Sequence, residues 1–94
     1  MSDVWNALAD KSRRTIIALL RERDMTAGEI AAHFDMAKPS VSHHLSILKN
    51  AGLVSCEKKG QNLIYSANMT VFQELIELVV AMADSSSDPL EANK

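Results

Sequence analysis

Residues 25–66 read MTAGEIAAHFDMAKPSVSHHLSILKNAGLVSCEKKGQNLIYS, and this stretch decides the fold. It opens with a capping box, Thr26-Ala27-Gly28-Glu29. The threonine hydroxyl can accept from one free helix N–H, and the glutamate can reach back to another. Met25 and Ile30 stand at the positions of a hydrophobic staple, so Ile30, Ala31 and Phe34 are expected to face inward. Asp35–Ala37 breaks this helix. Pro39 then suits the first turn of the next, where its missing N–H costs little. That second helix is expected to run to about Ala51, with Gly52 as its stop.

At 100° per residue, Val41, Leu45 and Leu48 fall within about 60° of arc and predict the buried stripe. Ser42, His43, Ser46 and Asn50 lie opposite, with Ser40 at the N-terminal edge. Exposed helix faces usually carry Glu and Lys. Serines lower helix propensity, so this face calls for a reason other than helix stability. Val54–Glu57 and Asn62–Ala67 read as strands joined by Lys58-Lys59-Gly60-Gln61, with Gly60 supplying a positive φ.

Working outward, Asp3–Ala9 predicts a short first helix with Val4, Trp5 and Leu8 as its apolar positions. Asp10 can cap a second over Lys11–Arg23, with Ile16, Leu19 and Leu20 as its stripe. After the hairpin, Thr70-x-x-Gln73 is expected to cap a fifth helix running to about Ala83. Val71, Leu75, Leu78 and Met82 form one stripe on it, and Phe72, Ile76, Val79 and Ala83 form another. One stripe serves to dock the helix on its own domain. Two make a face too wide for that, which points to a second subunit. The fold class is therefore mainly α with a small β-hairpin, in the order α-α-α-α-β-β-α. Residues 1–84 form one helix-turn-helix domain with a hairpin wing, and the polar, serine-rich residues 85–94 are expected to form a disordered tail.

The chain has 94 residues and a formal net charge of −2, but the charge is unevenly placed. Over residues 38–62, Lys38, Lys49, Lys58 and Lys59 face only Glu57, a local net of +3. A phosphate responds to charge within a Debye length of about 8–10 Å, so the local balance matters more than the total. The major groove of DNA, about 12 Å wide, admits one α-helix. Ser40, Ser42, His43 and Ser46 are placed to meet base edges there. Lys38 can reach phosphate or guanine. Lys58, Lys59, Gln61 and Asn62 suit the backbone or the adjacent minor groove. A short helix pair or a basic hairpin has a bland reading when taken singly. In this order they predict a reader of double-stranded DNA. A two-fold dimer would set two such helices about 34 Å apart.

No nucleophile–base set, phosphate-cradling glycine loop or carboxylate pair stands out, so an enzyme is not expected, nor is a cofactor. Cys56 is the single cysteine, which excludes an intrachain disulfide and suits a reducing cytoplasm. The N-terminal residues, with Asp3 and Asp10, lack the apolar segment of a signal peptide. The longest apolar run, Leu78–Ala83, is far below the roughly 20 residues of a membrane span.

The segment ALADKSRRTIIALL, followed by the whole of residues 25–66, closely resembles the ArsR/SmtB-type winged helix-turn-helix repressors. Within that family it is most similar to the SdpR-like autorepressors, which lack the usual metal sites. The likeness spans about residues 3–83. It implies a homodimer that packs first and last helices together, bringing in Val4, Trp5 and Leu8 beside Val71, Phe72, Leu75, Leu78, Val79 and Met82. It also implies a repressor on a palindromic operator, its own promoter among the candidates, relieved by an inducer that the sequence does not identify. Many relatives bind metal through a Glu-Leu-Cys-Val-Cys segment. Here the matching residues are Glu29-Ile30-Ala31-Ala32-His33, with no thiol. Others use Asp and His on the last helix, which offers no histidine here.

Three alternatives stand beside this reading. A metal-responsive repressor would use His33 and Glu29, which supply at most half of a tetrahedral site. A redox-responsive one would use Cys56, although a strand cysteine more often fills space as a small apolar residue. A winged-helix protein-interaction module would have little use for the serine face and the basic wing. His44, flanking the apolar stripe, is expected to be packed and hydrogen-bonded.

Overall fold

A computed structural model describes the backbone of residues 2–92 and the side chains of residues 3–84. The elements run α1 (Ser2–Leu8), α2 (Lys11–Glu22), β1 (Met25–Thr26), α3 (Ala27–Ala31), α4 (Lys38–Asn50), β2 (Val54–Lys59), β3 (Asn62–Ala67) and α5 (Met69–Ala92). The expected order is present with one addition. Met25 and Thr26 form a short strand, so the wing is the outer part of a three-stranded antiparallel sheet ordered β1-β3-β2. Met25 pairs with Tyr65 and Thr26 with Ile64.

Local chemistry explains each boundary. The Asp10 carboxylate accepts from the Arg13 backbone N–H and caps α2. The capping box at α3 is complete: Glu29 N–H donates to Thr26 Oγ1 at 3.1 Å, and Thr26 N–H donates to Glu29 Oε1 at 2.9 Å. With its cap in β1 and its end at Ala31, α3 is shorter than the pattern through Phe34 implied. The end of α4 is a Schellman motif. Gly52 N–H donates to the Lys49 carbonyl and Leu53 N–H to the Leu48 carbonyl, with Gly52 at φ +79°. Leu48 and Leu53, both fully buried, make the apolar contact that accompanies this motif.

Two expectations need correction. The start of α5 is fixed by Asn68 instead of Thr70. Asn68 Oδ1 accepts from Val71 N–H at 3.4 Å, while its Nδ2 donates to the Gly52 carbonyl at 3.1 Å, tying α5 to the end of α4. On α2 the buried positions are Ile16, Ile17 and Leu20, with Leu19 half-buried. Helix α2 packs against α1, α4 and β3, and Ile17 joins the core.

The core joins Ala7 of α1, this α2 stripe, Met25, Ile30, the α4 stripe Val41, Leu45 and Leu48, then Leu53, Val54 and Leu75. From α5, Val71, Phe72 and Leu75 pack on the body. Beyond them Ile76, Leu78, Val79, Val80 and Met82 are exposed. The inward and outward parts of α5 are therefore divided along its length and not between its two stripes. Leu75, at 6% exposure, belongs to the chain's own core. The α5 helix also extends past the expected end at Ala83, and the side chains of 85–94, where a tail was expected, lie outside the described residues.

Candidate nucleic-acid interface

Helix α4 presents the polar face that its sequence implies. Val41, Leu45 and Leu48 are buried, while Lys38, Ser40, Ser42, His43, Ser46, Lys49 and Asn50 are exposed. Lys38 and Ser42 come together at the rim of a shallow depression floored by Ala27, Gly28, Ala31 and Val41. The first turn of α4 thus stands beside the start of α3, as a helix-turn-helix requires. The face carries hydroxyl, imidazole and amide groups that can donate or accept at base edges, flanked by two ammonium groups.

The wing is more regular than expected. Lys58 and Lys59 lie in β2, and the turn is the two-residue loop Gly60-Gln61. Gly60 has φ +63° and Gln61 has no positive φ, which fits a type II′ hairpin with glycine first. Lys58 pairs with Leu63 and Lys59 with Asn62, and all of these together with Gln61 are exposed. Successive strand residues face opposite ways. Lys58 therefore shares the face of buried Val54, which is turned toward the helices, and Lys59 shares the outer face with Glu57.

His43 and His44 divide as neighbours on a helix must. His43 is exposed; the His44 side chain is 16% exposed and packed at the flank, with ring centroids 6.0 Å apart. Arg13 Nη1 lies 3.3 Å from His44 Nδ1, and Asp10 Oδ2 lies 3.9 Å from the same nitrogen. The shorter contact defines the ring. A guanidinium only donates, so in this contact Nδ1 is the acceptor. Arg13 is the residue that sequence reasoning missed. Its partner is 31 positions away, and no local pattern links the two.

Of the candidate residues for other functions, Glu29 is committed elsewhere. Glu29 accepts from Thr26 N–H and pairs with Arg23 at 3.2 Å. The Thr26 backbone bond, followed by that to Arg23, holds its carboxyl below the ordinary value. This leaves His33, an exposed residue, without a free carboxylate beside it on α3. The Asp10 carboxyl is likewise lowered, above all by the Arg13 backbone bond. Cys56 is half-buried on the inner face of β2, opposite Tyr65. Burial, and then the Cys56 thiol, push the Tyr65 hydroxyl above its ordinary value.

Trp5 and Leu8 of α1 line one apolar groove with Phe72, Leu75, Ile76, Val79 and Val80 of α5. This groove gathers Trp5, Leu8, Phe72, Leu75 and Val79 of the expected dimer residues. Val4 and Val71 are half-buried against the core, and Leu78 and Met82 lie further along α5. Among the described residues, no helix is long and apolar enough to cross a membrane.

Comparison with known proteins agrees with this architecture. Residues 10–55 match the profile described as "Bacterial regulatory protein, arsR family". The chain is 46% identical to the transcriptional repressor SdpR of Bacillus subtilis over 90 residues, which span 96% of this chain and all of that protein. Among solved structures, an ArsR-like transcriptional regulator from Rhodococcus sp. RHA1 superposes with a TM-score of 0.88 at 25% identity, covering 99% of this chain and 88% of that one. A Mycobacterium bovis fragment, described as a homodimeric winged helix-turn-helix DNA-binding domain, gives a TM-score of 0.73 at 29% identity, covering 90% and 79%.

Proposed function

Because the chain belongs to the arsR family of bacterial regulatory proteins, which are winged-helix transcriptional regulators and not enzymes, we propose that it acts as a homodimeric repressor on a palindromic operator. The observation that carries this reading is the exposed face of α4, with Ser42, His43 and Ser46 at its centre and the basic wing alongside. In the proposed complex α4 enters the major groove. Lys38 meets phosphate at its start, and Lys58, Lys59, Gln61 and Asn62 meet the backbone or the adjacent minor groove. Ser hydroxyls bond many base edges, so specificity comes from the set and from the spacing of two half-sites.

The dimer forms through the groove that Trp5 and α5 leave uncovered. Trp5, Ile76, Val79, Val80 and Met82 are each more than two-fifths exposed in the single chain. Contiguous apolar surface of this kind marks an interaction site. A domain this small gains stability by enlarging its core across a two-fold axis. Pairing α1 and α5 with their symmetry mates leaves both α4 faces open to the same side of a duplex. The protein would act in the cytoplasm, with the regulated promoter and its own upstream region as the DNA partners.

The test is binding of the purified protein to duplex DNA from just upstream of its own gene, against scrambled competitor. Specific binding with a steep salt dependence is expected. Ser42→Glu is expected to abolish it while sedimentation still gives a dimer, because a carboxylate would face phosphates. Sequence-independent weak binding by the wild type, or normal binding by Ser42→Glu, would overturn the assignment of α4.

A further inference from the structure

Helix α4 rests on the body through Val41, Leu45 and Leu48. Apolar packing of this kind restricts a helix's rotation and slide but is non-directional, so a directional bond to a distant element fixes the orientation more sharply. The N-cap, Ala37, adds no side-chain hydrogen bond. Among the described residues, the side-chain hydrogen bond that reaches α4 from a distant element is the one from Arg13 Nη1 to His44 Nδ1, at 3.3 Å. The same guanidinium is anchored on its other edge. Nε donates to the Ala7 carbonyl at 2.7 Å and Nη2 to the Asn6 carbonyl at 3.1 Å, both at the end of α1. A planar fork with donors committed on both edges is a rigid spacer.

We infer that Arg13 is a positioning residue for DNA recognition, setting α4 at a fixed angle to the C-terminal end of α1. The inference rests on the reading above, in which α4 meets DNA and α1 lies at the dimer interface. Two reading helices bind one operator only when their separation and tilt are correct. That geometry is the sum of the subunit contact and the angle between α1 and α4. Arg13 sets the second part. Asp10 supports it from below: its Oδ2 accepts the Arg13 backbone N–H at 3.1 Å and holds the start of α2 in place.

Without the acceptor on His44, α4 samples a range of orientations. If the competent one falls to about a tenth of the population, apparent operator affinity falls about tenfold. Non-specific binding draws on the lysines and the phosphate charge and does not need that orientation. The expected signature is therefore a loss of preference for the operator, not of binding to DNA.

Three variants of the full chain test this. His44→Asn keeps an acceptor close to the place of Nδ1, His44→Phe keeps the ring without it, and Arg13→Lys keeps the charge without the fork. Each is measured on the upstream duplex and on a scrambled duplex, with sedimentation and thermal melting alongside. His44→Phe and Arg13→Lys are expected to lose about tenfold in the ratio of the two affinities, with scrambled-DNA affinity and the dimer retained. His44→Asn is expected to stay within about threefold of wild type, allowing for imperfect geometry. An unchanged ratio in the first two variants would overturn the role. So would an equal loss on both duplexes together with lowered melting, since the bond would then support folding alone. A wild-type protein with no preference for the operator would instead overturn the DNA-reading function, and this role with it.

Discussion

Replacing Lys58 with glutamine is expected to change salt dependence more than replacing Lys59. The two residues are adjacent in β2 and so project from opposite faces of the wing. Lys58 follows Val54 and Cys56 on the face turned toward the helices, the side on which α4 lies. Lys59 shares the outer face with Glu57, two positions away. That is about 7 Å along a strand and within a Debye length, so the carboxylate offsets part of its field. Each phosphate contact contributes about 0.9 to the slope of log K against log salt. A dimer carries two copies of Lys58, so Lys58→Gln should flatten the slope by about 1.8. Between about 50 and about 200 mM salt, that amounts to roughly twelvefold less loss of affinity than in the wild type. Lys59→Gln should flatten it by clearly less. Fluorescence anisotropy of a labelled operator duplex across a salt series reads both slopes directly. A slope unaltered by Lys58→Gln, or the same change from either lysine, would refute the argument from strand facing.

Three further outcomes are expected. Val79→Glu, on the open part of α5, should shift the protein from dimer to monomer in sedimentation while its helical circular dichroism is kept. Leu75→Glu should also lower the melting temperature of the chain itself, because Leu75 is in the core; identical behaviour of the two would erase the division drawn along α5. Gly52→Ala meets no atom within 4 Å of the new Cβ, so its cost is the left-handed backbone alone, about 1–2 kcal/mol. At about 4–8 °C per kcal/mol for a domain of this size, the drop should be plain by calorimetry at fixed protein concentration, and smaller for Gly52→Asn. Stability should also fall in acid. Asp10 and Glu29 have carboxyls lowered in the fold, so their contribution is present above the unfolded value near pH 4 and fades as pH drops through the folded one. Glu29→Gln with Asp10→Asn should flatten the melting profile below about pH 4.5, and a profile as steep as wild type would remove both groups as its cause.

What was legible in the sequence was what local chemistry controls. The capping box at Thr26 and Glu29, the stop at Gly52 and the α4 stripe depend on neighbours within a turn, and each stands as read. The exposed α4 residues proposed to meet DNA follow from the same periodicity. What escaped depends on distant partners. Met25 and Thr26 look like a staple and a cap, and only β3 makes them a strand. Thr70 offers a better cap by pattern than Asn68, but Asn68 also reaches Gly52 across the fold. Arg13 looks like a surface arginine until α1 and α4 are placed on either side of it.

Thr26 serves two elements at once, as the cap of α3 and as the register partner of Ile64 in the wing strand. The first helix of the reading motif and the base of the wing are thereby welded through a single residue. Beyond that weld, from Lys58 to Leu63, β1 no longer pairs with the hairpin and the side chains are exposed. The molecule thus separates a fixed chassis from an interchangeable tip. Descendants could lengthen, shorten or recharge the tip and shift their DNA preference without disturbing how the body folds.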